Sequence, residues 1–93
     1  MLRDDVLLRM IERLAEAVGA FLAGDGSRSE VQRELQATTG LTLAVIDVLP
    51  AEAIVPPVDD RRVWQAKARA IAEALEALGR TDKAAQVRAL ADR

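Results

Sequence analysis

The 93-residue chain has no histidine, no cysteine and no tyrosine, and only one tryptophan and one phenylalanine. Without histidine it lacks the commonest general base and the commonest metal ligand, and no Ser–His or Cys–His pair can form. Without cysteine there is neither a disulfide framework nor a thiolate site. That fits a reducing compartment, and a cytoplasmic, bacterial-type protein is the expectation. Neither sign of charge is in excess: 13 Lys and Arg stand against 15 Asp and Glu, a net of −2. Composition therefore offers no basic surface for nucleic acid or an anionic membrane. No apolar run approaches the roughly 20 residues of a membrane span. The opening MLRDDVLLRMIERL carries charges through its apolar positions, unlike a signal peptide. No phosphate-binding or dinucleotide-binding glycine pattern occurs.

What the chain does have is periodicity. Residues 51% hydrophobic and only 2% aromatic, with alanine supplying much of the apolar count, suit close helix packing better than sheets. The strongest pattern runs from Asp5 to Leu22. Leu7, Ile11, Leu14, Val18 and Phe21 recur at alternating steps of four and three, Leu8, Ala15 and Leu22 widen the stripe on one side, and Met10 on the other. Arg9, Glu12, Arg13 and Glu16 occupy the opposite face. This is an amphipathic helix whose apolar face is too broad for one neighbour. Asp4 or Asp5 is expected to cap its start and Ala23 to lie near its end, before the turn Gly24-Asp25-Gly26-Ser27.

Ser27 and Glu30 match a capping box opening a short helix from about Ser29 to Thr39, closed by Gly40 with Leu41 as its hydrophobic contact. Residues 42–58 read two ways, as a hairpin around Pro50-Ala51-Glu52 or as short helices near Leu43–Val48 and Pro50–Ile54. Helices are preferred, because no other segment supplies a sheet and an isolated hairpin is marginal. Pro56-Pro57 stops them. Asp59 or Asp60 then caps a long helix from about Arg61 to Leu78. It carries a bulky seam, Trp64, Ala68, Ile71, Leu75 and Leu78, and a small one, Val63, Ala66, Ala70, Ala74 and Ala77. The first seam is the expected partner of helix one, and Glu76 and Arg80 have ion-pair spacing. Gly79 ends that helix, and Thr81 is expected to cap the last one, which packs through Ala84, Val87, Leu90 and Ala91.

The stretch AIAEALEALGRTDKAAQVRALADR, with Leu75, Leu78-Gly79 and small residues at Ala72, Ala84 and Ala91, resembles a single tetratricopeptide helical hairpin. Thr81 and Arg88 stand where that family often places aromatics. The opening Arg3-Asp4-Asp5-Val6-Leu7-Leu8-Arg9-Met10-Ile11-Glu12 resembles a family of small bacterial all-helical proteins with no assigned activity, which end in such a hairpin; Val6 stands where that family has an aromatic. The resemblance implies architecture and no chemistry.

The expected fold is therefore all-α: one domain over 1–93, with N-terminal helices over 1–58 and a helical hairpin over 59–93, a small bundle of two long and about three short helices. Adjacent carboxylates at Asp4-Asp5 and Asp59-Asp60 read as helix caps, and Glu73 and Glu76 as a solvated face. No catalytic, cofactor-binding or metal-binding residue is expected. The functional expectation is a non-enzymatic interaction or scaffolding module that binds a protein partner or itself as a homodimer, with no nucleic acid and no membrane partner. Its expected surface is Leu7, Met10, Leu14, Phe21, Val63, Trp64, Arg61 and Arg62. The rival is a helix-turn-helix DNA binder over residues 29–48, with Gly40 in the turn and Thr42 capping a second helix; that helix, Leu43–Val48, has no Arg, Lys, Asn or Gln to read bases.

Overall fold

A computed structural model describes the backbone of Leu2–Arg93 and the side chains from Asp5 onward. Among these residues there are six helices and no strands: α1 (Leu2–Leu22), α2 (Arg28–Thr39), α3 (Leu43–Val48), α4 (Ala51–Ile54), α5 (Arg61–Ala77) and α6 (Thr81–Ala91). The all-α reading holds, and residues 42–58 are short helices. Their β-branched run stays helical because its ends are defined chemically. Thr42 Oγ1 accepts from the Val45 amide at 3.4 Å, and Pro50 opens α4 from an extended conformation (φ −69°, ψ 157°).

Other boundaries follow the caps, with corrections. Ser27 Oγ accepts from the Glu30 amide at 3.1 Å at the start of α2. Asp60, and not Asp59, caps α5: its Oδ1 accepts from the amides of Arg62 (2.9 Å) and Val63 (3.4 Å). α1 starts at Leu2, upstream of both aspartates, so Asp5 lies inside the helix; the side chain of Asp4 is outside the described residues. Thr81 does not cap α6 but is its first helical residue, following Arg80, which makes no side-chain cap bond. Gly40 ends α2 in the left-handed region (φ 73°), its amide donating to the Gln36 carbonyl. Gly26 is required for a different reason. A Cβ there would sit 2.8 Å from the Phe21 nitrogen, because the turn after α1 folds back on the helix, with Gly26 N–H donating to the Ala20 carbonyl at 2.9 Å.

Two helical hairpins make the body. α2 folds back along α1, so that Arg13, Glu16, Ala17 and Ala20 face Glu30, Arg33 and Glu34. α6 folds back along α5 through Gly79-Arg80. The hairpins join where α1 packs on α5. Val18 and Leu22 there share a groove with Glu73, Glu76 and Ala77, so both helices end on the same side of the molecule. α4 lies against α6. One contiguous core results, filled by Leu14, Val18, Val31, Leu35, Ile46, Ile54, Val55, Ile71, Leu75, Leu78, Val87 and Leu90.

The sequence assigned the Trp64 seam to α1. The structure puts Ile71, Leu75 and Leu78 of that seam in one core cluster with Leu14 and Val18 of α1, brings Ala77 of the small seam beside Val18 and Leu22 as well, and has the Trp64 indole N–H donate to the Val55 carbonyl at 3.1 Å beyond α4. A small side chain such as Ala77 lets neighbouring helices approach, and the half-buried Trp64 ring packs on the core beside the linker. Long polar side chains then satisfy carbonyls left free at helix and loop ends: Arg28 donates to Leu78 O (2.9 Å), Gln65 to Ala91 O (3.2 Å) and Lys83 to Leu49 O (2.7 Å). The expected Glu76–Arg80 pair does not form. Arg80 reaches Asp47 (3.2 Å) and Glu76 pairs with Arg88 (2.8 Å), because the turn at Gly79 carries Arg80 off the helix toward α3.

Candidate interaction surface

The structure divides the eight surface residues expected from the sequence. Leu14 is fully enclosed (0%) and Val63 nearly so, so both belong to the core and not to any surface. Phe21 and Trp64 are half-buried and packed on the core. Leu7 and Met10 are half-exposed, and Arg61 and Arg62 are exposed in the first turn of α5. No single patch unites all eight.

A different grouping emerges from α1. With about 100° between successive residues, Leu14, Ala17 and Val18 point inward, and all three are buried. Leu8, Ala15, Gly19 and Leu22 fall together on the edge facing outward beside α5. Leu22 is 71% exposed and Leu8 41%, and Ala15 and Gly19 are exposed too. Val6, 56% exposed, lies on the other side of the helix, two residues back from Leu8. Across the groove α5 presents Glu73 and Ala77, with Ala66, half-buried, two turns earlier on the same edge. The groove between Val18, Leu22, Glu73, Glu76 and Ala77 is open and holds about 280 Å³. It is an apolar channel with an ionic rim.

The sequence showed Leu8, Ala15 and Leu22 widening the apolar stripe but not which part of that stripe stays open. The missing information was the position of α5, which lies close enough to bury Val18 and too far around the helix to cover Leu22. Val45 (40% exposed) and Val48 (80%) are further exposed apolar side chains, on α3, beside the Asp47–Arg80 pair. They follow the Gly40 turn as the second helix of a helix-turn-helix would, but α3 spans only Leu43–Val48 and its Asp47 is occupied by Arg80.

Groups able to do chemistry are sparse. Among the described residues no three metal-ligating side chains cluster. Asp60 is engaged in capping and Glu76 in an ion pair. Among the described residues Lys67 on α5 is the one group with a resolved shift: half-burial lowers its pKa by penalising the ammonium. It has no ion-pair partner among the described residues. No described helix is long and apolar enough to cross a membrane. Comparison with protein-family models, with curated proteins and with solved structures finds no match.

Proposed function

We propose that the chain is a non-enzymatic protein–protein interaction module whose binding face is the outer groove between α1 and α5. The observation that carries this reading is the exposure of Leu22 (71%) and Leu8 (41%) on one edge of α1, with Ala15 and Gly19 between them. α2, α5 and α6 expose no large apolar side chain. Singly exposed leucines are ordinary, but a row at seven-residue spacing beside an open groove is the form in which a helix receives another helix. Arg62 with Arg69 supplies its basic rim. The reading assigns no residue a chemical step and requires no cofactor.

Within it the α5–α6 pair is a tetratricopeptide-like hairpin used as a scaffold, supported by the burial of Ala72, Ala84 and Ala91 at 0, 1 and 2%. A cytoplasmic setting goes with a cysteine-free chain. The DNA-binding alternative has no comparable support, since α3 presents valines and a paired aspartate where phosphate or base contacts would be needed.

A photo-reactive side chain placed at position 22, with position 33 on α2 as control, tests the proposal in cells. Adducts with protein at 22 and none at 33 are the expected result. No adduct at 22, or equal labelling at both, overturns it.

A further inference from the structure

We infer that the occupant of the α1–α5 face is a second copy of this chain, docked about a two-fold axis with α1 antiparallel to its mate. This rests on the reading of that face as the binding face and names its partner.

Three features of the face are self-complementary. The first is the repeat. Leu8, Ala15 and Leu22 are evenly spaced, so reversal about Ala15 sets Leu8 of one copy against Leu22 of the other and leaves the smallest side chain of the row on the axis. The second is Gly19. It lies inside α1, where glycine is unfavourable relative to alanine. A Cβ built on it would meet nothing within 4 Å in this chain. Packing within the chain therefore gives no reason for a glycine here. An opposed helix does, because Ala15 and Gly19, one turn apart on the exposed edge, let a second backbone approach closely, with Glu12 of the other copy lying over the gap.

The third feature is charge. The outer surface of α5 is basic in its first half, with Arg62 and Arg69, and acidic in its second, with Glu73 and Glu76. Arg62, Arg69 and Glu73 have no ion partner among the described residues. Because Val18 and Leu22 lie level with Glu73 and Ala77, an axis at Ala15 crosses α5 near Ala70. Reversal then brings Arg69 within two residues of level with Glu73 of the second copy, and Arg62 within two of its Glu76, about 3 Å along the helix and inside the reach of an arginine side chain. The parallel stacking of like helices would oppose like charges. A face about 30 Å long and two helices wide buries on the order of 1,200 Å² in total, at the low end for specific interfaces, as a weak dimer would.

The cysteine-free background makes the geometry testable. In a thiol–disulfide buffer, Ala15→Cys alone should crosslink to twice the chain mass. Leu22→Cys alone should not, and a mixture of Leu8→Cys with Leu22→Cys should. Sedimentation should show Arg69→Glu weakening self-association roughly tenfold, and Arg69→Glu with Glu73→Arg restoring it, as two symmetry-related pairs require. The inference is overturned if the wild-type chain stays monomeric to millimolar concentration, or if Leu22→Cys crosslinks to itself as readily as Ala15→Cys. It is likewise overturned if the charge swap fails to rescue. A monomeric chain that still forms adducts of other mass at position 22 would remove the second copy and leave the interaction module standing. A chain with neither property would remove both.

Discussion

α1 and α6 are both amphipathic, yet the molecule treats them differently. α6 hides every large apolar side chain it has: Val87 is 0% exposed and Leu90 1%. α1 hides Leu14 and Val18 and leaves Val6, Leu8 and Leu22 outside. The cause is the number of neighbours against the width of the stripe. α6 has a narrow stripe met by α5 and α4. α1 has a stripe spread around half its circumference, while α2 and α5 cover only the inner part. Amphipathicity shows where a helix has an apolar face, and only the placement of neighbours shows how much of that face belongs to the fold.

The contrast breaks most visibly at single side chains. Leu14→Ala and Leu90→Ala should each cost roughly 2–5 kcal/mol in urea unfolding, because both leave a cavity in a closed core, whereas Leu22→Ala should cost under about 0.5 kcal/mol. Ile11, half-buried at the margin of the covered region, should fall between them. A Leu22 variant as damaging as Leu14→Ala would mean that the outer row is core after all. Two glycines sharpen the same comparison. Gly26→Ala should destabilise by about 1–3 kcal/mol, since the added carbon meets backbone that cannot yield. Ser27→Ala, which removes the cap of α2, should cost about 1 kcal/mol in the same melts. Gly19→Ala should raise stability by about 0.5–1 kcal/mol in dilute solution, having open space to occupy.

The smallest effect concerns Lys67. Its folded-state pKa is depressed below 10.5, so the folded protein releases that proton before the unfolded chain does. The penalty is fully present below the folded-state pKa and fades as pH rises toward 10.5. Lys67→Met should therefore be the more stable protein at pH 8, and its advantage should shrink on approach to pH 10.5. The absence of tyrosine leaves that range nearly free of other titrations.

Much of the fold was legible because its signals are local. The Ser27 and Asp60 caps, the Gly40 and Gly79 stops and the inward row Ala84, Val87, Leu90 and Ala91 each follow from spacing and side-chain chemistry. The start of α1 and the cap of α6 were misplaced because Asp5 and Thr81, good capping residues elsewhere, are helical residues here. The surface was less legible. Leu14 and Val63 resemble Leu22 and Ala66 in sequence, and only the approach of α5 to α1 separates enclosed positions from open ones. Arg80 found Asp47 rather than Glu76 because a tertiary turn, invisible to helix spacing, redirected it.

The most direct test of the open edge of α1 is sedimentation equilibrium of the wild-type chain and of Leu22→Gln over increasing concentration, with melting curves recorded in parallel. The account predicts a wild-type mass rising from one chain toward two, a Leu22→Gln mass staying near one, and equal melting at low concentration. Wild type and variant remaining monomeric together, or Leu22→Gln melting like a core variant, would contradict it.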